Sequence, residues 1–324
     1  MRVLITGAAG MLGSAVFPAF VDAGHDVVAT DLAPREVRGL PMGTLDVRDA
    51  AAVDATVAEG AFDLVLHLAA ETILETCEAD PDHAFLTNTI GTHNVAISCA
   101  ARDTTLVYIS TAGVFDGEKT DGPYTEFDAA RPINVYGASK YEGEVLVLRI
   151  VPKSFVVRAG WMVGGVERDH KFVAKIVEQL RDHEPVIRAV TDKLGTPTYT
   201  TDFAANLLEL IETPFYGRYH MACLGEGSRF DVAREIVAFY GRTDVEVVPV
   251  TSEAFANAYP APRPRSEIMR NYHLDLRGMN RMRPWRDALH DYLGAAEFDA
   301  FSRRELDQWA RVIKEAKISL KEQK

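Results

Sequence analysis

Cysteine is scarce in this sequence. Cys77, Cys99 and Cys223 are the only three in 324 residues, and their spacing matches no metal-ligand pattern, so no metal site is expected. An odd, sparse set predicts reduced thiols and a cytoplasmic protein. No apolar run is long enough to cross a bilayer, so no membrane partner is expected. The opening MRVLITGAAG enters a strand at once, which argues against a cleaved signal peptide. Excess positive charge is also missing. Lys and Arg number 35 against 47 Asp and Glu, a net charge of −12, which argues against a nonspecific nucleic-acid surface. A local basic pocket for an anionic substrate stays compatible with that total. There is no repeat of 20–50 residues and no low-complexity tract.

What the chain does have is a regular alternation. RVLIT, DVVAT, DLVLHLAA, TLVYIS and SFVVRAG are short apolar runs without polar alternation, as expected of strands buried on both faces of a parallel sheet. Segments with helical spacing, such as 81–102 and 136–150, lie between them. This predicts an α/β fold with a doubly wound parallel sheet. After about residue 165 the texture changes. Helical segments at 170–182, 200–212 and 229–240 alternate with PVIRAV, GRYHMA and DVEVVPV, and YPAPRPRS at 259–266 reads as a loop. The expected division is a dinucleotide-binding unit over 1–165, with returns near 191–222, and a mainly substrate-binding unit over 166–324. A last helix is expected from about Asp299, with Leu306, Trp309, Ile313, Ala316 and Leu320 on one face.

TGAAGMLG follows the first strand and opens a helix. Gly7, Gly10 and Gly13, with Met11 and Leu12 between the last two, would let backbone N–H groups approach a pyrophosphate at a helix N-terminus. Asp31 ends the second strand, 18 positions past Gly13, where a carboxylate would accept hydrogen bonds from adenosine ribose hydroxyls. A carboxylate there repels a 2′-phosphate, so NAD is expected as cofactor, with Arg35 close enough to leave NADP possible. Asp46, followed by Val47, would meet the adenine edge or else cap the helix that starts in DVRDAAAV. Leu68, Ala69 and Ala70, at the end of the fourth strand, leave room for a cofactor ribose. His67 before them reads as a packed polar residue.

Tyr136 and Lys140, in YGASK, fall one helical turn apart on one face. A phenol is a poor proton-transfer group at neutral pH, and an ammonium one turn away favours its phenolate. The same ammonium would hold the nicotinamide ribose. Ser110 and Thr111 emerge at the C-terminal end of the TLVYIS strand, where α/β proteins place their chemistry. Thr111 would share a substrate oxygen with Tyr136.

Taken in order, the glycine turn, HLAA, NTIGTHNV, ST…VF and Tyr136-x-x-x-Lys140 resemble the extended short-chain dehydrogenase/reductase family. Within it the chain is most similar to the dTDP-4-dehydrorhamnose reductase group, over roughly residues 1–290 and more loosely after 225. The resemblance implies a Rossmann-type domain, a smaller C-terminal α/β substrate domain, a small-molecule sugar nucleotide as substrate, and a homodimer. It implies hydride transfer to a keto carbon of a nucleotide-linked 4-keto deoxysugar, with Thr111, Tyr136 and Lys140 catalytic and Asn88 in the network behind Lys140. Glu71, Ala112, Trp161, Lys193, Thr196 and Arg263 would line the sugar-nucleotide pocket. Two departures bear on the substrate. The group usually reads Ser-Thr-Asp-Tyr-Val-Phe, whereas Ala112 and Gly113 stand here, and Glu71 replaces a usual Tyr after the fourth strand. Ala112 and Gly113 supply neither the acid nor the base that a 4,6-dehydratase needs. An NAD-dependent sugar-nucleotide epimerase or dehydrogenase stays open, as does a non-catalytic dinucleotide-binding regulatory subunit.

Overall fold

The computed structural model describes residues 1–296. The helix expected from Asp299 lies outside the described residues. The order of elements begins β1 (Arg2–Thr6), α1 (Gly13–Asp22), β2 (Asp26–Asp31), β3 (Gly43–Thr44), α2 (Ala50–Gly60) and β4 (Leu64–His67). It continues with α3 (Leu74–Ala79), α4 (Pro81–Phe85), α5 (Gly91–Ala100), β5 (Thr105–Thr111), α6 (Val135–Ile150), β6 (Ser154–Ala159) and β7 (Trp161–Val163). The remainder is α7 (Phe172–Arg181), β8 (Val186–Val190), β9 (Leu194–Gly195), β10 (Pro197–Tyr199), α8 (Thr200–Ile211), β11 (Gly217–Met221), β12 (Gly227–Ser228), α9 (Arg229–Phe239), β13 (Glu246–Val250) and α10 (Tyr272–Leu276). Helical residues follow at 285–296.

Seven strands form one parallel sheet in the order β11-β6-β5-β4-β1-β2-β3. This is the Rossmann-type doubly wound fold that the alternation predicts. Successive side chains along a strand point to opposite faces, and the core divides accordingly. Val3 and Ile5 pack with Phe17, Phe20, Phe155, Phe203 and Leu207 on one side. Leu4 packs with Val65, Val95, Leu106, Tyr108, Val147 and Val156 on the other. Helices α1 and α8 cover the first face, and α2, α5 and α6 the second. β11 comes from the C-terminal half of the chain yet closes this sheet beside β6. Three small two-stranded sheets, β10-β7, β12-β9 and β13-β8, build the region beside it. No helix among the described residues is long and apolar enough to cross a membrane.

Two local expectations change. The helical stretch 81–102 forms over 81–100 but is not uniform: α4 widens into a π-helical turn at Leu86–Ile90 before α5 begins. Such wide turns re-aim side chains and concentrate at functional sites, and this one carries the fully buried Asn88. The cap of α2 is Asp49, whose carboxylate accepts from the N–H groups of Ala51 and Ala52 at 3.0 Å each. Asp46 does not cap the helix, because Arg48 takes both of its oxygens, at 2.9 Å and 2.6 Å.

Candidate active site

At the glycine turn the backbone leaves no room for side chains. Gly7 has φ +70, and a Cβ there would come within 2.5 Å of the Ala69 nitrogen. A Cβ on Gly13 would meet the Ala8 carbonyl oxygen at 2.4 Å, and one on Gly10 the Gly7 oxygen at 3.3 Å. The turn is thus pressed against the Leu68–Ala69–Ala70 segment and the start of α1, and this cradle fits a dinucleotide pyrophosphate. Met11 and Leu12 are half-buried beside it, and Met11 O accepts from Ser14 Oγ at 2.8 Å. Asp31 closes the turn from below: its Oδ2 accepts from Ala9 N and its Oδ1 from Ala33 N, each at 3.0 Å. Arg168, from a distant loop, donates to Ala9 O at 3.0 Å and Glu36 O at 2.8 Å, so a cation lies across the turn. Arg35 is exposed. Val47 is buried against Gly91, and its carbonyl accepts from Asn94 Nδ2 at 3.0 Å.

The candidate proton-transfer groups meet at the end of β5. Asn134 caps α6, its Oδ1 accepting from Gly137 N at 2.7 Å, while Glu78 accepts from Val135 N at 2.7 Å. These contacts fix the first turn of α6, which carries Tyr136. Thr111 lies beside the Tyr136 phenol and favours its ionised form. Thr111 Oγ1 accepts from Gly113 N at 3.0 Å, leaving its proton to donate. Asn88 is tied to Glu71 by its Oδ1 from Glu71 N (2.8 Å) and its Nδ2 to Glu71 O (3.0 Å), and to Ser139 Oγ at 3.0 Å. It thereby joins the loop after β4 to the residue before Lys140. His67 is buried between Thr6 Oγ1 at 2.8 Å and Thr92 Oγ1 at 3.0 Å. Burial, with the Lys140 charge, lowers its pKa to about 3, so it is neutral.

The expected charge coupling between Lys140 and Tyr136 is not what this arrangement produces. Burial pushes the Tyr136 phenol up to about 12, opposed by the neighbouring Thr111 hydroxyl. Burial pushes the Lys140 ammonium down to about 7, opposed by Glu144. Lys140 Nζ lies 4.1 Å from the centroid of the Tyr108 ring. A lysine so weakly charged at neutral pH does little to favour a phenolate, and Tyr136 stays protonated. The unfolded chain holds the extra lysine proton between about 7 and the ordinary lysine value. Lys140 therefore makes stability rise with pH over that window, by at most about 1.4 kcal/mol per pH unit. Lys140→Met should be more stable than the parent near pH 7, the gap closing towards pH 10. Urea denaturation across that range checks this, and parallel curves would contradict it.

Behind these groups lies a buried ion pair. Arg158 donates to Glu144 at 2.8 Å and 2.7 Å, both side chains being fully buried. Ser110 Oγ donates to Glu144 Oε1 at 2.5 Å. The Ser110 hydroxyl is thus committed to the interior.

The residues expected on the sugar side are scattered in their roles. Ala112 is a correction: its side chain is buried with Val114, Phe115, Tyr124 and Met269, and it is Gly113 that borders Thr111. Thr196 is buried, its hydroxyl donating to Gly225 O at 2.7 Å. Arg263 is ion-paired with Glu75 at 2.6 Å, and its carbonyl accepts from Lys193 Nζ at 2.8 Å. Glu71 Oε1 accepts from Ile73 N at 2.8 Å and its Oε2 lies 3.4 Å from His83 Nε2. Trp161 Nε1 donates to Glu267 at 2.7 Å. Arg229, which the sequence reading missed, stacks 3.6 Å over the Trp161 ring. Burial lowers its guanidinium to about 10, with Glu267 opposing. Among the described residues it has no hydrogen bond or ion pair.

Comparison with known proteins places this geometry. Residues 1–298 match the family model described as the RmlD substrate binding domain. The chain belongs to that family. A dTDP-4-dehydrorhamnose reductase of Mycolicibacterium smegmatis is 35% identical over 295 residues, covering 91% of this chain and 85% of that protein. The spore coat polysaccharide biosynthesis protein SpsK of Bacillus subtilis is 32% identical, covering 90% of this chain and 96% of that one. Among solved structures, the dTDP-4-dehydrorhamnose reductase of Clostridium acetobutylicum matches with TM-score 0.84 and 35% identity, over 92% of this chain and 100% of that chain. That of Bacillus anthracis, in complex with NADP, matches with TM-score 0.82 and 34% identity, over 90% and 98%. This RmlD-family chain is an NAD(P)-dependent oxidoreductase of the extended short-chain dehydrogenase/reductase type.

Two side chains of this family member carried no local signal in the sequence. Arg229 stands at the start of α9, and Glu267 in the segment after Arg263-Pro264. Only the packing of β9 against both segments brings them to the strand-end site. Asn134 did carry a signal, being a good capping residue directly before the helix of Tyr136.

Proposed function

We propose that the protein reduces the keto group of a nucleotide-linked 4-keto deoxysugar, with Tyr136 as proton donor. The meeting of Thr111 with a protonated Tyr136 at the end of β5 carries this reading. The curated relatives named as dTDP-4-dehydrorhamnose reductases support the substrate class. The Gly7–Gly13 turn would hold the pyrophosphate, Asp31 the adenosine ribose and Lys140 the nicotinamide ribose. The reduced nicotinamide, when bound, supplies the hydride for the carbonyl carbon. Tyr136 gives its proton to the carbonyl oxygen as charge develops there, and the Thr111 hydroxyl donates a hydrogen bond to that charge. Arg229, cationic and without a hydrogen bond or ion pair among the described residues, would meet the diphosphate of the sugar nucleotide. On this reading the elements from 166 onward, apart from the return through β11, form the substrate side. Loss of NADH oxidation with a 4-keto sugar nucleotide on removal of the Tyr136 hydroxyl is the test.

Asp31 sets the cofactor preference in this reading. Its carboxylate, fixed by Ala9 and Ala33, would repel a 2′-phosphate. NADH should bind more tightly than NADPH, and Asp31→Asn should narrow the difference. Fluorescence titration with both cofactors checks it. Tighter binding of NADPH by the parent protein would show the assignment to be wrong.

Homodimerisation is supported by apolar side chains left exposed on one pair of helices. Leu86, Ile90 and Ile97 share a face along the α4–α5 rod, and Val145 and Leu148 share one on the neighbouring α6. Light scattering should give twice the 35.7 kDa chain mass, and Ile97→Arg should give the single mass. Three buried, unpaired thiols suit a reducing compartment such as the cytoplasm.

A further inference from the structure

One carboxylate at the site has no part in the proton transfer derived above. Glu267 is half-buried, and its main-chain N–H donates to Leu194 O at 2.8 Å. Its Oε2 accepts from Trp161 Nε1 at 2.7 Å, and Trp161 is itself held under the Arg229 guanidinium. The side chain is therefore fixed at its base and along one oxygen. The other oxygen faces the strand end. A Cβ on Gly113 would lie 3.6 Å from Glu267 Oε1 and 3.4 Å from Thr111 Oγ1, so both atoms border the opening that the missing side chain leaves. Among the described residues nothing donates a hydrogen bond to Oε1. Burial raises the Glu267 carboxyl, while Trp161 and the cations Arg229, Arg263 and Lys193 oppose that shift.

A fixed acceptor with one oxygen unsatisfied, beside the group that polarises the carbonyl, is placed to read the atom next to that carbonyl. A carboxylate accepts from a hydroxyl and repels another oxygen acceptor, so it discriminates between a sugar that carries a hydroxyl there and one that does not. We propose that Glu267 is a specificity-determining residue whose Oε1 accepts a hydrogen bond from the sugar hydroxyl on the carbon adjacent to the carbonyl held by Thr111 and Tyr136. This rests on the reaction proposed above and names the part of the sugar that the site selects. Gly113 belongs to the same device, since any side chain there would stand between Thr111 and Glu267.

The experiment pairs a deletion in the protein with one in the substrate. The kcat/KM of the parent, Glu267→Gln and Glu267→Ala is measured on a nucleotide-linked 4-keto-6-deoxyhexose and on its 3-deoxy analogue. The parent should prefer the hydroxylated sugar by about 100-fold or more. Glu267→Ala should lose most of that preference, through a fall on the hydroxylated sugar and little change on the analogue. Glu267→Gln should lie between, and it carries the test if the alanine variant does not fold. An equal fall on both substrates, or no fall, overturns the proposal. If the parent reduces neither sugar, the proposed reaction fails separately. Calorimetric affinities for the two sugar nucleotides then decide the hydroxyl contact: selective weakening in the variants supports it, and equal affinities overturn it.

Discussion

Replacing Tyr136 with phenylalanine should lower kcat for carbonyl reduction by roughly 10²–10⁴-fold and leave NADH binding unchanged. The substitution removes one oxygen and keeps the ring, the α6 helix and its Asn134 cap. In the proposed mechanism the lost atom delivers a proton to the developing alkoxide. Because burial pushes the phenol up to about 12, Tyr136 is almost wholly protonated at neutral pH and ready to donate. Thr111 would remain as a hydrogen-bond donor, so some rate persists. Steady-state kinetics with a fluorescence titration of NADH separates the two effects. An unchanged kcat would remove Tyr136 from the mechanism, and a parallel loss of NADH affinity would make it a binding residue.

Gly7→Ala should weaken NADH binding by about 100-fold or more, equivalent to roughly 3 kcal/mol. The residue sits at φ +70, where an L side chain is strained by about 1–2 kcal/mol. Its Cβ would also fall within 2.6 Å of two Ala69 backbone atoms, which cannot rotate out of the way. The turn must move, and with it the N–H groups offered to the pyrophosphate. Gly24→Ala is the matched control. Gly24 has φ +81 with nothing within 4 Å of its Cβ position, so that variant carries the backbone strain without the collision. Thermal denaturation should show both variants destabilised, but only Gly7→Ala should lose NADH. Comparable binding by both would remove the Gly7 turn from the cofactor site.

The fold was legible because its signals are local. Apolar runs without polar alternation become parallel strands covered on both faces, and the segments between them become covering helices. The helix over 81–100 was legible from its spacing, but its π-helical turn at Leu86–Ile90 was not, since one extra residue in a turn leaves no mark on the apolar pattern. Asp46 and Asp49 show a finer limit. Both carboxylates lie near the start of α2, and only the side chain of Arg48 decides which is left to cap it. At the proposed site, Tyr136 and Lys140 could be named from their spacing and Thr111 from its place at a strand end. Their charge states could not, because burial lowers the lysine and raises the tyrosine at once. Ala112 was assigned to the wrong face, since the turn after β5 directs it into an apolar cluster and opens the site at Gly113 instead. Glu267 and Arg229 come from segments more than a hundred residues beyond Thr111, and their place at the strand end follows from tertiary packing alone.

The central claim is hydride delivery to a sugar carbonyl. The direct measurement incubates the protein with NADH, deuterated at the transferring position, and a nucleotide-linked 4-keto-6-deoxyhexose, and analyses the product by NMR. The account predicts one NADH oxidised per sugar reduced, with deuterium at C4. NADH binding without oxidation, or recovery of the sugar without deuterium at C4, would contradict it.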